Sequence, residues 1–183
     1  MQKRALAVLT LTTFAICIAC GSDTTTTIPK SNVVTLKATL TPAGEPSVTG
    51  NPTGSGTFTA TLDTVTGAFT YNVQFSGLTT TINNGHIHGP FPAGAATAAN
   101  VILNFNPAQG NNSTIDPTAT FTGLNTGTSG SATGTVSLVA ATQVTVSING
   151  DSLKKLLLAG LTYANIHTAT NPAGEIRGQI TKQ

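Results

Sequence analysis

The chain contains three histidines, and their placement is the first chemistry it offers. His86 and His88 stand one residue apart in "GHIHGPFP", fenced by Gly85 and Gly89, and His167 lies far downstream in "YANIHTATNPAGEIRGQI". On a strand, side chains two residues apart share a face, with their roots about 7 Å apart. His86 and His88 then point the same way and Ile87 points into a core. Along "YANIHT", Tyr163, Asn165 and His167 share one face while Ala164 and Ile166 take the other. If the two strands are neighbours, His167 completes a three-imidazole set. Imidazole nitrogens suit copper or zinc, and three of them leave a fourth position for water or a small ligand. The bland alternative is that the three rings are merely solvated or hydrogen-bonded, and that the glycines serve close backbone packing.

Other chemistry is thin. Glu175 and Arg177 share a strand face and read as a structural ion pair. Asp63 sits where a hairpin must turn, and Asp116 precedes Pro117 in a loop. No Ser lies in a G-x-S-x-G pattern, no carboxylates form an acid/base pair, and no Gly-rich phosphate loop precedes a helix. Most hydrolase and nucleotide-dependent classes are therefore unsupported.

The elements that must position the histidines are strands. Charged residues make up only 8% and aromatics 5%, while Gly, Thr and Val are plentiful, a composition that suits pleated sheets and tight turns. "GTFTATLDTVTGAFTYNVQFSGL" alternates apolar Phe58, Ala60, Leu62 with Thr, then Phe69, Tyr71, Val73, Phe75 with polar residues, which predicts a β-hairpin. "VVTLKATLTP", "VILNF", "TATFTGL", "SATGTVSLVAATQVTVSI", "LTYANIHT" and "GEIRGQI" supply further strands. "NGDSLKKLLLAG" predicts one short helix near residues 152–159, capped by Asp151 or Ser152 and ended by Gly160. The expected fold is all-β, an antiparallel Greek-key β-sandwich with one short helix.

The N-terminus reads as an export segment. Lys3 and Arg4 precede an apolar run from Ala5 to Ala19 that is short for a membrane span. Ala19 followed by Cys20 resembles the lipobox of bacterial lipoproteins, which implies a signal peptide over residues 1–19 and lipidation of Cys20. Cys17 stands where that motif usually has Leu. Gly21 and Ser22 are not the Asp-type signal for inner-membrane retention, so in a two-membrane bacterium the sorting resembles that to the outer membrane. Residues 20–32 form a Thr-rich tether, and the domain is expected over 33–183. Of the eight basic residues, Lys3 and Arg4 would leave with the signal, so six basic face six acidic residues. No basic patch points to nucleic acid. No Cys follows Cys20, which excludes an intradomain disulfide and a thiolate metal site.

The segments "LTPAGEPSV", the hairpin, "GHIHGP", "AGAATAANVIL", "LLLAGLTYANIHT" and "NPAGEIRGQI" run in an order that resembles the CHRD (chordin-type) domain over roughly residues 33–181. That resemblance implies an extracytoplasmic domain of undefined molecular activity, here a lipid-anchored binding or structural protein with a protein or matrix partner. A weaker resemblance is to the copper–zinc superoxide dismutases. These have a β-sandwich with a His-x-His strand, a late His on another strand and a closing Arg, to which His86, His88, His167 and Arg177 are comparable. The bridging histidine, the zinc ligands and the disulfide of that family have no counterpart. The second resemblance implies, as the alternative function, a copper site without zinc, with Arg177 as the residue of catalytic interest and superoxide dismutase-like redox activity.

Overall fold

A computed structural model describes residues 31–95, 99–106, 119–142 and 148–183. The signal segment with Cys20, most of the tether, the loop holding Asp116 and the strand material over 143–147 lie outside these residues. Ser31–Gln183 forms one compact unit.

Among these residues, nine strands make one long, curled antiparallel sheet. They are β1 (Val33–Leu40), β2 (Ser55–Asp63), β3 (Ala68–Ser76), β4 (Ile82–His88), β5 (Val101–Asn104), β6 (Thr120–Phe121), β7 (Gly130–Ser137), β8 (Thr162–Thr168) and β9 (Ile176–Lys182). The spatial order is β5-β4-β8-β9-β1-β2-β3-β7-β6. The two leaves, β5-β4-β8-β9 and β1-β2-β3-β7-β6, are joined through the short β1–β9 pairing of Leu36 with Lys182 and Lys37 with Thr181, and through isolated bridges from Thr41 to Arg177 and from Ile82 to Leu124. The chain crosses between the leaves after β3, after β5 and after β7. This is the all-β, sandwich-like architecture that the alternation predicts.

The core lies between the leaves. Phe58, Leu62, Phe69, Tyr71 and Val73 of the hairpin are buried, as are Ile87, Leu103, Ala164, Ile166, Ile176 and Ile180 of the other leaf. Tyr71 meets Phe105 across the gap at 5.3 Å between ring centroids. Burying side chains of this size, at about 25 cal/mol per Å² of apolar surface, is the main stabilising term in a domain that has no disulfide. Threonine occupies the solvent side of β2, alternating with the buried positions. Asp63 turns the hairpin as expected. Its Oδ1 accepts from Val65 N (2.8 Å) and Thr66 N (2.9 Å), which holds its carboxyl below the ordinary carboxylate range, and Gly67 takes the left-handed conformation at φ 76°.

The helix (α1) spans Gly150–Leu158, starting two residues earlier than the sequence suggests, and buries Leu153 and Leu157. Its N-cap is Asn149 rather than Asp151 or Ser152. Asn149 has extended backbone, and its side chain accepts from Ser152 N at 2.9 Å. Ser152 is thus the capped donor, and Asp151 sits inside the first turn, where it meets Lys154 (3.0 Å) and Lys155 (3.1 Å). Gly160, at φ 67°, ends the helix with its N–H on Leu157 O.

The cap assignment has a direct test. Asn149→Ala should lower unfolding free energy by about 1 kcal/mol, the usual cost of a lost N-cap, in urea denaturation. Asp151→Ala should have a clearly smaller effect, because exposed ion pairs contribute little. Equal losses would place the cap elsewhere.

Candidate metal centre

β4 and β8 are adjacent and antiparallel, so the two histidine segments are neighbours. The register sets His86 opposite Asn165, His88 opposite Tyr163, and Asn84 opposite His167. The strand alternation holds where it matters: Ile87 is fully buried in the core, and His86 and His88 lie on the other face. Gly85 is required by the packing. A Cβ there would stand 2.8 Å from Ile166 Cδ1 and 2.9 Å from a Phe105 ring carbon.

The histidine face is not open to solvent. Loops cover it, and the three residues are only 6% (His86), 6% (His88) and 8% (His167) exposed. Their candidate ligating atoms all lie within 4.8 Å of one another. Nitrogens bound to one ion at about 2.0–2.1 Å can be at most about 4.2 Å apart. The set is therefore within about 0.6 Å of the spread that one ion would require. His86 Nδ1 already stands 2.9 Å from His167 Nε2.

The outer bonds of the rings decide which nitrogens face inward. His88 Nδ1 donates to Ala99 O at 2.7 Å, and His167 Nδ1 donates to Pro172 O at 3.0 Å. A carbonyl only accepts, so each of these nitrogens carries its ring's proton and leaves Nε2 with a free lone pair in the neutral ring. Metal-ligating histidines are typically oriented in this way, by a backbone carbonyl on the far nitrogen. His88 Nε2 is buried and has no hydrogen-bond partner among the described residues. His86 Nδ1 can place one proton between itself and His167 Nε2.

The electrostatics keep these rings neutral. Burial, with the neighbouring His167 and His88 adding to it, pushes His86 down to about 2. Burial pushes His88 down to about 4, against the Ala99 carbonyl bond, which favours the proton. Burial also lowers His167 while its Pro172 bond opposes the shift. Neutral imidazole is the form that binds metal.

The surroundings are aromatic and charged. The Tyr163 ring stacks on His88 at 4.7 Å with 5° between planes, and Phe91 meets Tyr163 edge-on at 4.8 Å. The Arg177 guanidinium lies 4.4 Å from the Tyr163 ring centre and 4.9 Å from that of Phe91. Its Nε donates to Gly44 O at 2.7 Å and stands 4.0 Å from Glu45 Oε2. The structure therefore brings Arg177 beside the histidine cluster, but buries it at 7% exposure. Glu45 Oε1 accepts from Asn165 Nδ2 at 3.3 Å. Burial raises the Glu45 carboxyl, with the Arg177 charge and the Asn165 bond pulling the other way.

Glu175 does not pair with Arg177, contrary to the sequence expectation. Its carboxylate is fully buried and takes donors from Thr79 N (2.7 Å), Thr79 Oγ1, Thr168 Oγ1 (2.7 Å) and Asn171 Nδ2 (3.2 Å). Burial alone would raise this carboxyl; the four donors more than offset it and hold it below the ordinary range. Its role is to pin the β8–β9 turn to the segment before β4. The carboxylate beside Arg177 is instead Glu45, from the opening "AGEPSV" loop. Sequence reasoning passed over it because no periodicity links that loop to β8. Its one signal was its rarity, as one of six acidic residues in the chain.

A curled all-β sandwich with a buried histidine triad on one leaf defines the class of the molecule. A family model described as the CHRD domain matches residues 36–180, and the chain belongs to that family. No curated protein and no solved structure matches the chain.

The buried neutral rings make stability depend on pH. The unfolded chain takes up protons at ordinary imidazole values, near 6.5, and the folded chain only well below them. Folding is therefore favoured fully above pH 6.5, and this contribution is lost as pH falls toward 4. Glu45, raised by burial, acts in the opposite direction. In the presence of chelator, the urea midpoint should fall between pH 7.5 and pH 5, and His88→Gln should flatten the slope. A wild-type midpoint constant over that range would contradict the burial of neutral imidazoles.

Proposed function

We propose that this CHRD domain is a transition-metal-binding module of an exported, lipid-anchored protein, holding one copper or zinc ion through His86 Nδ1, His88 Nε2 and His167 Nε2. The observation that carries the reading is the convergence of three buried imidazoles with their far nitrogens tied to backbone carbonyls or, for His86, turned away from the cluster. A purely structural histidine cluster would satisfy its inner nitrogens with donors, and His88 Nε2 has none among the described residues.

The export segment, Cys20 and the Thr-rich tether support anchoring at the outer face of a bacterial membrane, through a lipid rather than a protein span. In that reading the domain meets metal ions and partners outside the cytoplasm. A protein or matrix partner belongs to the same picture, and the CHRD membership supports it without defining it. Superoxide dismutase-like activity draws on the His-x-His strand and on Arg177. Against it, the arginine is buried between Phe91 and Tyr163 and is engaged by Gly44 O.

The test is a titration of residues 21–183 with Cu(II) and Zn(II), followed by calorimetry. One equivalent should bind with submicromolar affinity, which corresponds to more than about 8 kcal/mol, and His167→Ala should abolish it. Affinity should hold from about pH 7.5 down to about pH 5 and fall only below about pH 4, where protons begin to compete for the buried rings. Millimolar binding, or binding indifferent to His167, would remove the metal reading and leave the partner-binding one.

A further inference from the structure

We infer that Asn165 supplies a fourth ligand through Oδ1, making the centre a closed three-nitrogen, one-oxygen site for a divalent ion, with Glu45 holding the amide in its ligating orientation. The inference rests on the three-histidine reading above and extends it to coordination number, ion class and role.

Asn165 is 1% exposed and lies opposite His86 in the β4–β8 register, two residues before His167 on the same face. Its Oδ1 stands 3.1 Å from His167 Nε2. The other end of the amide faces Glu45, with Nδ2 3.3 Å from Oε1. An ionised carboxylate can only accept, so the amide NH₂ turns toward Glu45 and the carbonyl oxygen turns toward the histidines. Gly174 makes the approach possible, because a Cβ there would overlap the Glu45 carboxylate.

The proton count then leaves a deficit. His167 Nε2 and His88 Nε2 carry lone pairs, because their protons sit on the nitrogens bonded to Pro172 O and Ala99 O. Asn165 Oδ1 is a third acceptor. Among the described residues, His86 Nδ1–H is one proton for all of them. Three acceptors and one donor at separations such as 2.9 and 3.1 Å are an unfavourable buried arrangement. One cation at the centre turns every one of these lone pairs into a bond once His86 shifts its proton to Nε2.

Three imidazoles and a neutral amide oxygen suit Zn(II) or Cu(II), whereas Cu(I) selects softer ligands. A fourth protein ligand also closes the site. Structural zinc sites are four-coordinate and closed, while catalytic ones keep a position for water. The ion would therefore join β4 and β8 rather than turn over a substrate, and loading would stabilise the fold by mass action.

The test uses residues 21–183 loaded with Co(II) as a visible probe, together with Zn(II) competition titrations. Wild-type Co(II) protein should show the intense visible bands of four-coordinate cobalt and should not respond to azide. Asn165→Ala should weaken Zn(II) binding by about tenfold or more, the scale seen when a metal site loses a supporting group, and its Co(II) spectrum should now change with azide. Asn165→Asp keeps an oxygen and should restore the closed spectrum, which also answers for the alanine variant if that fails to fold. The proposal is overturned if azide perturbs wild type as readily as the alanine variant. It is equally overturned if both Asn165 variants keep wild-type affinity while His167→Ala loses it, in which case the three-histidine reading stands without a fourth ligand. No binding of Co(II) or Zn(II) by wild type would instead remove the three-histidine reading itself.

Discussion

The arrangement depends on a shortage of protons in a dry place. Buried polar atoms normally find partners, and an imidazole has one donor and one acceptor when neutral. Here two backbone carbonyls, Ala99 O and Pro172 O, claim the donors of His88 and His167 from outside. Desolvation keeps the rings from gaining a second proton. Lone pairs are thereby left facing one another, an arrangement that a bound cation would satisfy. The surroundings support this condition: the rings are buried, Glu45 accepts from Asn165 Nδ2, and Arg177 adds a positive charge that further disfavours an imidazolium at His88.

The fold makes the cluster by a simple device. The long sheet curls so that one face of β4 and β8 lines the core, and loop residues 41–46, 91–95, 99 and 171–174 lie over the other. Bonds from Arg177 to Gly44 O, from His88 to Ala99 O and from His167 to Pro172 O tie those loops to the leaf. Gln179 adds two more, to Phe91 O (3.0 Å) and Gly160 O (2.7 Å). Both faces of β8 are consequently buried over its whole length. Strands buried on two sides usually carry continuous apolar runs. β8 instead carries Tyr163, Asn165 and His167 on its second face, and that departure sets the polar cluster apart from the core.

Much of this was legible before any coordinates. Phe58 through Phe75 alternate so strictly that the β2–β3 hairpin and its inward face follow from period two alone. The same parity placed His86 and His88 together and sent Ile87 to the core. The order of the CHRD segments linked "GHIHGP" to "NIHT", although no local rule pairs β4 with β8 across some eighty residues of chain. Loop chemistry was less legible. The capping role passed from Asp151 or Ser152 to Asn149, because any of three neighbouring polar residues can cap and the packing of Leu153 and Leu157 chooses among them. Arg177 was assigned to Glu175 by proximity in sequence, whereas its carboxylate neighbour, Glu45, arrives from a loop more than a hundred residues earlier. The carbonyls of Ala99 and Pro172 carry no sequence signal, since every residue has one.

The central claim concerns where three protons sit, and nitrogen-15 NMR of the imidazole rings in metal-free protein at pH 7 reads this directly. The account predicts three neutral rings, with His88 and His167 as Nδ1–H tautomers and His86 also protonated on Nδ1, toward His167. A cationic ring in the cluster, or an Nε2–H tautomer at His88 or His167, would supply the missing protons and contradict it.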